Sequence, residues 1–383
     1  MSPKLSVVVP VFNVEKYLEK CLVSLENQTF KNFEVVIIND GSSDSSLDIA
    51  NSFHAKDQRF RVISQENLGL GGARNTAIAN ARGEYIFMLD SDDYIKSDTF
   101  STLIEYLEEN DLDILVFNYE KVDEFGRVID SPKNGNNGVF TKDEAFRQIL
   151  SWKTSPLSWN KLYRTRLFVD GAIYYKEKFL HEDIPVTYKL FWFADRVGYL
   201  NNSFYYWVIR SGSITSQFSY KHINDVVTSL TDIKRHLLEN SVYANYELEY
   251  VEGCVKMFNV MLERSIEHQR FGCMDYLLFH LDSGNLINEC QTDKIELYDK
   301  GLYLRYRKNI DLVKQSISYR FSGGNQARNG ERAVFQRLRT YMSSSRYFFR
   351  LYLYKISYYL FPLDSPRREA LKKLLGRWQN LDL

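Results

Sequence analysis

Leu89-Asp90-Ser91-Asp92-Asp93 sets three carboxylates directly behind the apolar run Tyr85-Ile86-Phe87-Met88-Leu89. At the C-terminal mouth of a buried strand such a cluster has no packing role, and its repulsion calls for a hard cation or a cation-bound phosphate. Two closely spaced carboxylates hold Mg²⁺ or Mn²⁺ while leaving the other positions to water and diphosphate oxygens, and the ion then offsets charge on a departing nucleoside diphosphate. The competing reading is a turn or helix-capping cluster.

Further candidates follow the same logic. Asp40 in Asn39-Asp40-Gly41-Ser42-Ser43-Asp44 either caps a turn or accepts the N3–H of a uracil ring or a ribose hydroxyl. Asn67 to Asn75 is glycine-rich and opens a helix, so its backbone N–H groups are expected to approach a phosphate, with Arg74 pairing a diphosphate oxygen unless it is a plain surface arginine. The segment lacks the Gly-Lys-Ser/Thr ending of a Walker A loop. In His181-Glu182-Asp183 a carboxylate either starts a helix or faces an acceptor hydroxyl as general base; Asp183 is the favoured base, with Glu182 in support. Arg210-Ser211-Gly212-Ser213-Ile214-Thr215 has the make-up of a loop that folds over a diphosphate, Arg210 supplying charge, or of a simple turn. Trp159 is a candidate to stack on an acceptor sugar, although core tryptophans are commoner.

These residues need a scaffold that gathers them. Residues 6–12 and 34–39 are β-branched runs of strand length, each followed by an amphipathic stretch. Val14, Tyr17, Leu18, Cys21, Leu22 and Leu25 recur at helical spacing behind Asn13, which is placed as an N-cap. A strand at 60–64, a helix at 72–82, a strand at 85–89 and a helix after Ser97 continue the alternation. This β-α-β-α order predicts a mostly parallel sheet covered on both faces, with ligands at the carboxyl ends of its strands, where the polar motifs fall. Past Leu112 the alternation stops. Residues 114–122 and 127–130 read as a hairpin, 131–138 as a surface loop, and 226–238 and 250–268 as helices.

The chain of 383 residues is long enough for two domains, and its 44% apolar and 26% charged residues fit a globular protein. A formal net charge of zero gives no field for nucleic acid. Cys21, Cys254, Cys273 and Cys290 stand singly, without zinc-ligand spacing or a disulfide framework, which suits a reducing cytoplasm. Neither a signal-type leader nor a transmembrane run of about 20 apolar residues is evident.

Taken in order and at this spacing, Ser6 to Asn13, Asn39 to Asp44, Asn67 to Asn75, Asp90-Ser91-Asp92-Asp93 and Glu182-Asp183 resemble the family 2 glycosyltransferases, an inverting group of the GT-A fold that acts in capsule, exopolysaccharide, lipopolysaccharide and teichoic acid synthesis. The resemblance is strongest over residues 4–110. It implies an α/β GT-A domain over 1–220, with a nucleotide-binding half at 1–110 and an acceptor-binding half at 111–220; beyond it, where the resemblance ends, the pattern itself reads as a helical region over 221–383. It also implies that Pro10, Phe12 and Asp40 line a nucleobase pocket, that Arg74 lies near the donor nucleotide, and that Asp90 and Asp92 form the Asp-x-Asp element for ribose and metal. The metal role stays open between Asp92 and Asp93, and Asp183 is the implied base. A UDP-sugar donor, Mn²⁺ or Mg²⁺ and a glycan or lipid-linked acceptor belong to the same implication. The Gln-x-x-Arg-Trp signature of processive members is missing, since Leu374 stands where the glutamine would precede Arg377-Trp378.

The last segment raises a separate question. From Arg320 to Leu383 there are thirteen Lys/Arg against four Asp/Glu, interleaved with aromatics over 345–361 and continued by a basic amphipathic pattern over 367–378. That composition suits an anionic inner leaflet, or equally a helical subdomain or oligomer contact. Two rival functions remain on sequence grounds. A sugar nucleotidyltransferase would want a glycine-rich basic signature at the first strand, where Pro10-Val11-Phe12-Asn13 stands; a non-catalytic carbohydrate-binding or scaffolding protein would have no use for the acidic cluster, Arg74 and Asp183 together.

Overall fold

The computed structural model describes residues 2–133, 135–210 and 218–268, with isolated positions beyond. The chain divides into two compact units, of which the first, Met1–Phe258 with Phe279–Tyr303, holds the sheet and all the candidate site residues. Most of the second unit, including the basic aromatic tail, lies outside the described residues.

The chain order is β1 (Leu5–Val11), α1 (Glu15–Glu26), β2 (Phe33–Asn39), α2 (Ser46–Lys56), β3 (Phe60–Ser64), α3 (Gly69–Asn80), β4 (Tyr85–Met88), β5 (Tyr94–Ile95), α4 (Thr99–Glu109) and β6 (Ile114–Val122). It continues with β7 (Val128–Asp130), β8 (Gly138–Thr141), α5 (Lys142–Leu150), β9 (Lys161–Arg164), α6 (Arg166–Asp170), α7 (Ile184–Phe193), β10 (Arg196–Val208), α8 (Tyr220–Glu239) and α9 (Tyr243–Glu267). β1 and β2 are buried along their whole length, as near-continuous Val/Ile runs in a sheet covered on both faces must be.

One sheet runs β3-β2-β1-β4-β9-β6-β10-β5, with β7 on β6 and β8 on β10. The β3-β2-β1-β4 half is parallel, as expected. The other half departs from that expectation, because β9 lies antiparallel between β4 and β6, and β5, β7 and β8 also pair antiparallel. Only β6 with β10 restores parallel pairing there. The cause is long-range: α5 returns the chain so that β9 enters the centre of the sheet from the opposite end.

The strand order reverses between β1 and β4, and Pro10 ends the pairing of the two strands at that point. The Val8 carbonyl accepts the Leu89 N–H at 3.0 Å, so the next donor on that side of β1 belongs to residue 10. A proline has no N–H to give, and the β1–β4 ladder ends. A crevice outside the carboxyl ends at the switch point is where open α/β sheets bind ligands.

Asn13 does not cap α1. It takes a left-handed φ of 48°, and its Oδ1 instead accepts the Ser43 N–H at 2.8 Å. The start of α1 is satisfied from the β2–α2 loop, where Ser46 Oγ accepts the Val14 N–H at 2.9 Å and Asp44 Oδ2 accepts the Glu15 N–H at 3.0 Å. The 114–130 hairpin and the two long helices form as read, although the helices begin earlier, at Tyr220 and Tyr243. Among the described residues, no helix is long and apolar enough to cross a membrane.

Candidate active site

Arg74 is the hub of the site. It is carried by the first turns of α3 and is 1% exposed, so it is not a surface arginine. Its Nη1 donates to Glu182 Oε1 at 2.6 Å and to Asp183 Oδ1 at 2.7 Å, and its Nη2 donates to Asp90 Oδ1 at 2.8 Å. One guanidinium thus joins the strand-end acid of β4 to the Glu182-Asp183 pair before α7, a geometry only a planar fork of donors supplies. Burial opposes its charge, but Asp183, Asp90 and Glu182 outweigh that and hold its pKa well above the ordinary arginine range.

A single cation facing three carboxylates leaves the cluster short of positive charge, and Glu182 carries the consequence. Its burial, reinforced by the Asp183 charge and only partly relieved by Arg74, pushes its pKa up to about 8. Asp90 is shifted up as well, by desolvation first, yet its side chain stays 24% exposed on the rim of the crevice.

Asp183 occupies the N-cap position of α7, with Pro185 in the first turn, so the helix-start reading and the catalytic reading fall on the same residue. An aspartate there normally turns its carboxylate onto the helix N–H groups. This one does not. Its carboxylate points to Arg74 and to Ser158, remains 15% exposed, and sits in the favourable field of a helix N-terminus.

The acidic trio separates into two kinds of residue. Asp92 Oδ2 accepts Arg210 Nε at 2.7 Å, with both side chains partly exposed, which brings together two residues that the sequence motifs assign to a diphosphate site. Asp93 is buried; its Oδ2 accepts the Tyr205 hydroxyl and its Oδ1 the Val208 N–H, each at 2.7 Å. Asp93 therefore fastens the β4–β5 loop to β10, and its burial sets it apart from the partly exposed Asp90 and Asp92. Among the described residues, no cluster of three His, Cys, Asp or Glu side chains forms a ready-made metal cage. Asp90 Oδ2 and Asp92 Oδ1, on the rim, still match the sparse donor set of Mg²⁺ or Mn²⁺, which takes one or two carboxylates and draws the rest from phosphate and water.

Asp40 and the glycine-rich stretch meet in an unexpected way. Asp40 Oδ1 accepts Gln65 Nε2 at 2.7 Å and the Leu68 N–H at 2.9 Å, and its Oδ2 accepts the Gly69 N–H at 2.9 Å. The anion at the start of α3 is thus a side chain of the protein and not a phosphate. The glycines serve packing instead: a Cβ on Gly71 would come within 2.5 Å of the Lys176 carbonyl, and one on Gly72 within 2.4 Å of Leu68 Cβ. Asp40 is itself buried and keeps one oxygen with a single partner, and Phe12, just past the end of β1, is 51% exposed. Pro10 lies buried below it.

Trp159 does not offer a face to a sugar. It is buried, stacked on Tyr205 with centroids 4.5 Å apart and edged by Tyr119 at 4.7 Å and Trp207 at 5.7 Å. Residues 211–215 of the proposed loop lie outside the described residues.

Several residues of the site were not singled out from the sequence. Ser158 and Tyr175 hold Asp183, and Lys161 fixes the loop that carries Ser158. Buried Asp225 of α8 accepts the Leu180 N–H at 2.9 Å, just ahead of Glu182.

The model of the family described as Glycosyl transferase family 2 matches residues 6–170. The chain is 37% identical to the Bacillus subtilis "Uncharacterized glycosyltransferase EpsJ" over 338 residues, covering 87% of this chain and 92% of EpsJ. It is 34% identical over 277 residues to "Glycosyltransferase GlyA" of Streptococcus pneumoniae, a relative of which it spans only 38%. In structure it is similar to S. aureus TarS 1–349 in complex with UDP-GlcNAc, with a TM-score of 0.64, 26% identity, and 84% of this chain and 93% of TarS 1–349 covered. The GT-A fold and these likenesses agree, and the chain belongs to glycosyl transferase family 2 as a glycosyltransferase.

Proposed function

We propose that the protein is an inverting, metal-dependent glycosyltransferase that moves a sugar from a UDP-sugar to a hydroxyl of a growing cell-surface polysaccharide or lipid-linked oligosaccharide, on the cytoplasmic side of the membrane. The observation that carries this reading is the Arg74 bridge, which ties Asp183 to the acidic rim of the β1/β4 crevice. TarS, similar in structure, is solved with UDP-GlcNAc, and a relative of that name is a poly(ribitol-phosphate) beta-N-acetylglucosaminyltransferase. Both point to a nucleotide-sugar donor and a cell-surface acceptor.

In this reading the nucleobase lies between Phe12 and the remaining acceptor site of Asp40, above Pro10. Asp90 and Asp92 would hold the metal, which when bound offsets charge on the diphosphate; Arg210, already paired with Asp92, lies where it can turn to the same oxygens. Asp183 takes the proton of the acceptor hydroxyl. That oxygen attacks the anomeric carbon from the face opposite the leaving diphosphate, so an α-linked donor sugar becomes a β-glycoside. Asp93 and Trp159 form the wall behind the site.

A panel of nucleotide sugars with Mn²⁺, followed by mass detection of the released nucleotide, tests the proposal. Slow hydrolysis of one or a few UDP-sugars is expected. Failure to consume any nucleotide sugar, alone or with a mixed glycan acceptor pool, would contradict it.

A further inference from the structure

Asp183 is held on two sides by one residue. Ser158, fully buried between α5 and β9, donates its Oγ–H to Asp183 Oδ1 at 2.8 Å and its backbone N–H to Oδ2 at 3.2 Å. The same Oγ lies 2.8 Å from the Tyr175 hydroxyl. Because the single hydroxyl hydrogen of Ser158 goes to the carboxylate, the phenol must be the donor in that second bond. Tyr175 is itself buried, and desolvation raises its pKa, so it keeps the proton it donates.

The surrounding loop is fixed in the same direction. Lys161 Nζ donates to the Ser155 carbonyl at 2.7 Å, to the Leu157 carbonyl at 2.6 Å and to Asn160 Oδ1 at 2.8 Å, gathering the segment around Ser158. Thr187 of α7 donates to the Pro156 carbonyl at 2.8 Å, locking that loop to the helix that begins at Asp183. Tyr163 closes the ring by donating to the Ser158 carbonyl at 3.2 Å.

The two carboxylate oxygens are left unequal. Oδ1 receives Arg74 Nη1 and Ser158 Oγ, which uses both of its lone pairs, whereas Oδ2 receives only the Ser158 N–H. We propose that Tyr175 and Ser158 form a hydrogen-bond relay that positions Asp183 and reserves Oδ2 as the atom that takes the acceptor proton. The inference rests on Asp183 acting as the base and deepens that reading. In the transfer step the acceptor O–H bond breaks and its proton passes to Oδ2. The freed electron pair forms the bond to the anomeric carbon, and the pair of the breaking bond leaves with the diphosphate. Ser158 and Tyr175 are positioning residues that gain and lose no proton in this step.

Full-length S158A, S158T and Y175F, with D183N as reference, test the relay through transfer or donor hydrolysis measured across pH. A hydrogen bond to a charged acceptor accounts for a fall in kcat of about 10- to 100-fold in S158A. Its donor KM should stay within about twofold, and the acidic limb of the kcat profile should move to higher pH, because a bond favouring the charged carboxylate is lost. S158T, which keeps the hydroxyl, should recover most of the rate, and Y175F should shift the same limb by a smaller amount. The relay is overturned if S158A and Y175F leave both kcat and the pH limb unchanged, or if kcat and the thermal midpoint fall together with the limb fixed. Substantial turnover in D183N overturns the base itself, whereas an inactive D183N beside a fully active S158A removes only the relay.

Discussion

Arg74 Nη1 and Asp183 Oδ1 are 2.7 Å apart although 109 residues separate them in the chain. Through that contact the parallel half of the sheet and the segment before α7 share one buried cation, so the geometry of Asp183 depends on the strand-end acids.

Removing the hub should cost both stability and rate. Breaking a buried pair by deleting one partner leaves uncompensated charge and costs about 3–5 kcal/mol. Arg74→Met should therefore lower the denaturant midpoint strongly and abolish transfer. Arg74→Lys, whose single ammonium cannot span Asp90, Glu182 and Asp183, should retain more stability than activity. Equilibrium urea unfolding beside a transfer assay measures both.

Glu182 makes the fold sensitive to pH in a defined direction. Its pKa is about 8 in the folded chain against an ordinary value of 4.5, so between these values the folded state holds more protons than the unfolded state. Its contribution to stability is thus complete below about pH 4.5 and lost as pH rises through 8. Glu182→Gln should melt higher than the parent, by about 2–4 °C for each kcal/mol recovered, with the gain growing from pH 5 to 8.5. Melting curves across that range would show a constant offset if the argument is wrong.

The three aspartates of the cluster should separate functionally. Asp92→Asn is expected to raise the Mn²⁺ concentration for half-maximal activity by at least about tenfold, and chelation should silence the parent enzyme. Asp93→Asn should leave that concentration near the parental value while lowering the thermal midpoint, since it weakens the bonds to Tyr205 and Val208. Metal titration of the two variants side by side distinguishes them.

α8 should prove necessary for turnover although none of its residues was singled out from the sequence. Asp225 anchors the Leu180 N–H, and Asp232 accepts the Tyr188 hydroxyl at 3.1 Å and Lys189 Nζ at 3.0 Å, so α8 grips the chain before and after Asp183. Asp225→Ala leaves a backbone N–H without its acceptor, a loss of about 1–3 kcal/mol, and should reduce kcat with little change in donor KM. Asp225→Asn retains an acceptor oxygen and should recover most of the rate.

Local patterns carried the first half of the fold into view. β1 to α4 were legible because β-branched runs and helical spacing alternate there, and the crevice followed from where the polar motifs end the strands. β9 was not, since its place between β4 and β6 is set by pairing with strands 79 and 49 residues away in register, Tyr85 to Arg164 at one edge and Ile114 to Tyr163 at the other, and nothing local encodes that choice. The candidate site divides along the same line. Asp90, Asp92, Arg74 and Asp183 stood out by residue type and position. The burial of Asp93 and Trp159 was not legible because their partners, Tyr205 and Val208 for the first and Tyr119, Tyr205 and Trp207 for the second, come from distant strands. Asp40, itself buried, holds the turn into α3 as one of its two readings had it.

The central claim is that Asp183 is the base, and a single comparison addresses it: transfer by full-length Asp183→Asn, with UDP-sugar affinity measured on the same preparation. Loss of a positioned general base should slow transfer by about 10²- to 10⁴-fold while the dissociation constant for the donor stays within about threefold of the parent. Turnover within about tenfold of the parent, at unchanged donor affinity, would contradict the account.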